Sequence, residues 1–165
     1  FKQLFDLGYD NVVAIGGDMP LLPRTHIVEA FQWLDYLAEN DERGYGFVQA
    51  PCQQAGTSLV GQTAATPLSP EGIYYNKTGR PVVEGYLEFL HEQSIPNAYL
   101  SPVAGVDRDD DLAHVITCLN AIAEAEPYQP GIYLARRVLA WLDATGLLSV
   151  SPPNHEIDPR ELIDV

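Results

Sequence analysis

The sequence predicts an α/β fold: three layers, with a mostly parallel sheet carrying helices on both faces. Three observations point there. Short apolar, β-branched runs alternate with segments of helical periodicity. The first such run, Val12-Val13-Ala14-Ile15, is broken abruptly by Gly16-Gly17-Asp18-Met19-Pro20, as a buried strand is where it meets a loop. At 165 residues and 46% hydrophobic, the chain is also long enough to bury one sizeable core.

The elements follow in order. Residues Phe1 to Gly8 read as the last turns of a helix closed by glycine. After the Val12–Ile15 strand, Ile27, Phe31, Leu34 and Ala38 recur at helical spacing, widened by Val28 and Leu37, and predict a helix over Pro23–Glu39. Polar residues 40–44 end it. Tyr45–Pro51 reads as a strand, Gln53–Gly56 as a loop and Thr57–Gly61 as a further short strand. Residues 62–81, rich in Thr, Pro, Gly and Ser, predict a long surface loop of the kind that forms lids or stays mobile. A helix over Pro81–Gln93 points Val83, Tyr86, Leu87 and Leu90 inwards, and Ala98–Pro102 is another strand. The clearest helix is Asp109–Glu124, where Leu112, Val115, Ile116, Leu119 and Ile122 match the template and three aspartates occupy the favourable first turn. A last helix from about Pro130 carries Leu134, Val138, Trp141 and Leu142 and stops at Gly146. The tail, Ser149–Val165, is expected to run extended over the surface. This divides the chain into residues 1–126, the sheet-bearing unit, and 127–165, a C-terminal helix and tail.

Charge narrows the function. Nine basic against 23 acidic residues give a net charge of −14, which repels nucleic-acid backbones and anionic membrane surfaces. No run approaches the 18 apolar residues of a membrane span, and no signal pattern opens the chain. The expectation is a soluble, cytoplasmic protein that inserts in no membrane. Cys52 and Cys118 have no partner motif, and Cys118 is expected in the core. His26, His91, His114 and His155 lack metal-ligand spacing and read as surface residues. The one methionine is Met19, so the chain is expected to begin inside a domain whose N-terminal half lies upstream.

The candidate chemistry lies at strand ends. Asp18 would stand at the carboxyl end of an inner strand, where α/β sheets bind ligands. Gly16 and Gly17 let a ligand approach the backbone, and a carboxylate there holds a hard cation. A plain strand-end turn explains the same residues. Asp107 opens the clearest helix, where it fits either a metal ligand facing Asp18 or an N-cap paired with Asp110. Gly56, Thr57 and Ser58 offer amides and hydroxyls to a phosphate, sugar or base, and a simple turn fits them too. Lys77 and Arg80, in the long loop, are the best basic pair for an anionic substrate, or else solvated loop residues.

Gly16-Gly17-Asp18-Met19-Pro20-Leu21-Leu22 resembles the Gly-Asp-Met-Pro segment of molybdenum-cofactor guanylyltransferases and, more widely, the Gly-x-Asp-x-Pro-x-Leu segment of glycosyltransferase-A-like proteins, phospholactate guanylyltransferases among them. Gly56–Gly61 is similar to the Gly-Gly-Thr/Tyr-x-Leu-Leu-Gly stretch of that group, and Val106–Leu112 to its late Asp-Val-Asp-Thr-Pro-Glu-Asp-Leu motif. The three segments fall in the group's order over residues 8–125. Departures are Ala55 for a usual second glycine, Gly105 for a frequent aspartate, and Arg108-Asp109 for Thr-Pro. The resemblance implies a nucleotide-diphospho-sugar transferase-like fold in which Asp18 and Asp107 bind Mg²⁺ or Mn²⁺ and act in catalysis. Gly16, Gly17, Pro20, Gly56, Thr57, Ser58, Lys77 and Arg80 would contact substrate. The partners implied are a nucleotide-activated donor and a small-molecule acceptor. Sugar transfer, nucleotidyl transfer from a nucleoside triphosphate and a non-catalytic binding domain all fit these residues. An exposed sheet edge would allow a homodimer.

Overall fold

The computed structural model describes residues 1–147 and 149. In chain order it comprises α1 (Lys2–Asp6), β1 (Asn11–Ile15), α2 (Arg24–Asn40), β2 (Phe47–Pro51), a 3-10 turn (Gln53–Ala55), β3 (Thr57–Thr63), α3 (Val82–Glu92), β4 (Asn97–Tyr99), α4 (Asp109–Ala125) and α5 (Arg136–Thr145). The expected extended tail lies outside the described residues. No described helix is long and apolar enough to cross a membrane.

The fold is mixed α/β, with one open sheet of order β1-β3-β2-β4. The expectation of a mostly parallel sheet is corrected here. β3 pairs antiparallel with both β1 and β2, and only β2 and β4 pair in parallel. The reason is the connection between β2 and β3: Pro51 faces Thr57 across a turn far too short for the crossover that parallel strands require. β3 therefore doubles back and wedges between β1 and β2, so β1, expected as a buried inner strand, is an edge strand with only Val12 buried. Even so, β1, β2 and β4 all point the same way, so their carboxyl ends share one edge of the sheet.

Alternation along the strands splits the core. Val48, Ala50 and Leu59 bury against Ala30 and Leu34 of α2. Phe47 and Val60 instead meet Tyr86 and Leu90 of α3, with Ile73 and Ile95. A third cluster joins α4 and α5 through Val115, Ile116, Leu119 and Leu142. The buried face of α2 is rotated from the expected one: Ile27, Ala30, Leu34 and Leu37 pack inwards, while Phe31 is 39% exposed. Leu87 and Trp141 likewise face outwards, at 51% and 58%. Residues 64–81 form the expected long connection, yet Ile73 plugs it into the α3 core and Thr66 accepts from the Gly46 amide at 2.9 Å. Cys118 is half-buried rather than core, with Sγ 3.6 Å from His114 Nε2.

One polar clamp ties the two main helices together beyond their apolar contacts. Arg43, just past α2, pairs with Asp41 at 2.8 Å and donates to Ser94 O at 2.7 Å beyond α3, with its guanidinium 4.3 Å above the Tyr45 ring. The hydrogen bond from Arg43 lowers the Asp41 pKa to about 2. A depressed carboxylate pKa stabilises the fold above the unfolded value near 3.8, and that contribution is lost as pH falls through about 2. Acid melts from pH 5 to pH 2 should thus steepen for the wild type relative to Asp41→Asn. For the core, Leu34→Ala should cost about 3 kcal/mol in urea unfolding and Phe31→Ala clearly less; equal losses would show that α2 buries a different face.

Candidate active site

Three loops leave the sheet edge where β1, β2 and β4 end, the position at which open α/β sheets bind ligands. The first, residues 16–20, begins where Gly16 N donates to Ser58 O at 3.0 Å, so β3 fixes the point of departure. The backbone folds back tightly. A Cβ on Gly16 would lie 2.7 Å from Asp18 Oδ1 and 3.0 Å from Met19, so hydrogen alone leaves the carboxylate its place. Gly17 faces open space, and Asp18 is exposed at the tip.

The third loop, residues 100–107, runs on from β4 alongside β2: Leu100 N donates to Gln49 O at 2.8 Å and Val103 N to Pro51 O at 2.9 Å. It then meets the first loop. Val106 N donates to Asp18 O at 2.9 Å, and Gly105 lies so close to Met19 that a Cβ there would push the thioether aside. This contact accounts for glycine at 105, where the resemblance would place an aspartate.

Asp107 and Asp18 are brought together. Partial desolvation raises the Asp107 pKa, and the charges of Asp18 and Asp111 push it the same way; both Asp18 and Asp107 are exposed. The expected capping role falls elsewhere: the N-cap of α4 is Arg108, and the Asp111 carboxylate accepts from Arg108 N at 2.9 Å and Asp107 N at 3.1 Å. The N-cap position is thus Arg108 and not the expected Asp107, Asp111 supplies a capping carboxylate, and the side chain of Asp110 lies outside the described residues.

The second loop, residues 52–56, joins this cluster through a residue that belongs to no motif. Gln53 Nε2 donates to Gly105 O at 2.8 Å while Gly105 N donates to Gln53 Oε1 at 3.0 Å. The signal that could have found it is its position directly after β2, which is the argument that singled out Asp18. Gly56 lies against Cys52, 2.8 Å from an imagined Cβ to Sγ. Thr57 Oγ1 sits 2.9 Å from Tyr74 Oη, which tethers the long connection to this loop, and Tyr74 in turn accepts from the buried Tyr86 hydroxyl at 3.3 Å. Ser58 is fully buried and donates to Ala50 O at 2.9 Å, so its hydroxyl is already engaged. Pro20 is half-buried behind Met19 in the chain.

Lys77 is exposed on the long connection, and Arg80 is directed to α3, with Nη1 2.5 Å from Glu88 Oε2. A cavity of about 480 Å³ opens instead between Leu21, His26, Cys52, Gln53, Val103 and His114. With its proton on Nε2, 3.1 Å from Ser101 O, His26 leaves Nδ1 buried and without a partner among the described residues. Burial, then the charges of Asp107 and Asp18, raise the Cys52 thiol pKa, so the negative field of the acidic pair reaches the cavity wall.

No protein-family model and no curated protein matches the chain. A solved structure does: a "putative nucleotide-diphospho-sugar transferase" from Desulfovibrio desulfuricans G20, with a TM-score of 0.63 and 21% identity over 87% of this chain. The fold is nucleotide-diphospho-sugar transferase-like. The match spans 56% of the neighbour's length.

Because the raised Asp107 pKa means that the native state holds its proton more tightly than the unfolded chain, the ionised acid opposes folding once pH exceeds the ordinary carboxylate value. Asp107→Asn should therefore melt at or above the wild-type temperature at pH 7 in a chelator, with the difference closing near pH 3. A lower melting temperature at pH 7 would mean that the carboxylate is not repelled in this fold.

Proposed function

We propose that the chain is the metal- and acceptor-bearing part of a metal-dependent transferase that uses a nucleotide-activated donor, specifically a nucleotide sugar. The observation that carries this reading is the meeting of Asp18 and Asp107 at the shared strand-end edge, with cap duty taken over by Asp111. The transferase-like fold supports it.

On this reading Asp18 and Asp107 form a two-carboxylate site for a hard divalent ion, since among the described residues no group of three or more potential ligands is assembled. Two carboxylates crowded into mutual repulsion gain from a cation between them, and Mg²⁺ or Mn²⁺ is commonly held by one or two carboxylates together with water and substrate phosphates. When bound, such an ion neutralises charge on a departing diphosphate. The chain's own residues supply the rest. Asp18 and Asp107 would hold the ion, and the open face of Gly17 leaves room for phosphate oxygens beside Asp18. The neighbouring cavity would seat the acceptor. Lysine and arginine are absent from its lining, and the acidic pair imposes a negative field, so it suits a neutral acceptor better than an anionic one. Holding both partners at one sheet edge would supply proximity and orientation.

Calorimetric titration with nucleotide sugars and with nucleoside triphosphates, each with and without Mn²⁺, tests the reading. Nucleotide sugars should bind only with the metal, and Asp18→Asn should weaken that binding by roughly tenfold or more. Tighter binding of triphosphates would favour nucleotidyl transfer. Metal-dependent binding unchanged in Asp18→Asn would overturn the assignment, and metal-independent binding without turnover would favour a binding domain.

A further inference from the structure

The turn after β2 is built at a conformational cost that its own residues do not explain. Gln54 and Ala55 both adopt left-handed backbone, with φ of 57° and 55°, although neither is glycine or asparagine. Strain of this kind persists where surrounding contacts over-determine it. Here the contacts are visible: the turn closes with Gly56 N donating to Gln53 O at 3.2 Å and Cys52 N to Gly56 O at 3.0 Å. What it delivers is the Gln53 side chain, half-buried, with both ends of its amide on the backbone of Gly105.

We infer that Gln53 is a positioning residue for the acidic pair: its two hydrogen bonds to Gly105 hold the 100–107 loop against the 16–20 loop, and so set Asp107 opposite Asp18. The linkage is continuous. Gln53 fixes Gly105 from one side, Met19 packs on Gly105 from the other, and the next residue, Val106, donates to Asp18 O. Asp107 follows directly. An amide side chain is suited to this work because it alone pairs with a peptide N–H and C=O together without adding charge. A glutamate would meet the Gly105 carbonyl with no proton to donate and would add a third negative charge beside two. Gln53 also lines the cavity proposed for the acceptor, so one side chain connects the two halves of the site.

The role in the site rests on the metal reading above, whereas the coupling of the loops does not, and the test separates them. Amide hydrogen exchange at Val106 reports whether the loops stay joined. Binding of Mn²⁺ alone, followed by electron paramagnetic resonance, reports the acidic pair. In Gln53→Met, which keeps bulk and loses both hydrogen bonds, Val106 should exchange at least about tenfold faster and Mn²⁺ should bind roughly tenfold more weakly. Gln53→Asn, a methylene too short to reach Gly105, should do the same. Leu90→Ala, a core truncation on the α3 side, serves as the control: it should lower the melting temperature and leave Mn²⁺ affinity unchanged. Wild-type Val106 protection in both Gln53 variants would overturn the proposal, as would equal loss of Mn²⁺ affinity in Leu90→Ala. A wild type that takes up no Mn²⁺ would remove the metal reading, and Val106 exchange would still decide the positioning role.

Discussion

The hydrogen bond from Val106 N to Asp18 O is the contact on which the site depends. It is a backbone bond, so it specifies where two loops meet without fixing which side chains they carry. Everything chemical at this edge follows from it. Asp18 is delivered by a strand held in register by β3, and Asp107 by a loop that climbs along β2 before entering α4. Neither loop is long enough to wander once the bond is made. The two acids then lie on one edge of the sheet, and the Asp18 charge adds to the desolvation that raises the Asp107 pKa.

Sheet topology turns that local contact into a shared edge. β3 runs against its neighbours and contributes no loop to the site edge from its carboxyl end, yet it spaces β1 from β2 and gives each a hydrogen-bonded flank. The loops after β1, β2 and β4 can converge because those three strands agree in direction. α2 and α3, linked through Arg43 beyond their C-terminal ends, cover opposite faces of the sheet.

Much of this was legible in the residues. The described helices and strands overlap the expected segments, although β4 is shorter than expected and α5 begins at Arg136 and not near Pro130, because apolar spacing records which side of an element is buried better than where it starts. Asp18 stood out for the same reason: an apolar run ending at Gly-Gly-Asp has few interpretations. What the chain did not disclose was pairing. Direction of a strand depends on the length of a turn, and residues 52–56 contain no Asn-Gly or Asp-Gly signal to mark a tight reversal. Cap assignment at α4 was equally ambiguous, since a run of aspartates offers several acids to one set of amides, and a shift of one residue decides which is left over. Gln53 lay in a loop read for its amides and hydroxyls, and its own role was hidden because its partner, Gly105, is 52 residues away.

The placement of β3 between β1 and β2 also orders the assembly of the molecule. Pairing of β2 with β3 closes a short loop, whereas β1 joins β3 through contacts such as Ile15 with Leu59, whose loop-closure entropy is far larger. The hairpin is thus the most local pairing in the sheet, and the strand that leads to Asp18 joins it only through contacts distant in sequence. Asp18 and Asp107 therefore reach one edge only through pairings distant in sequence.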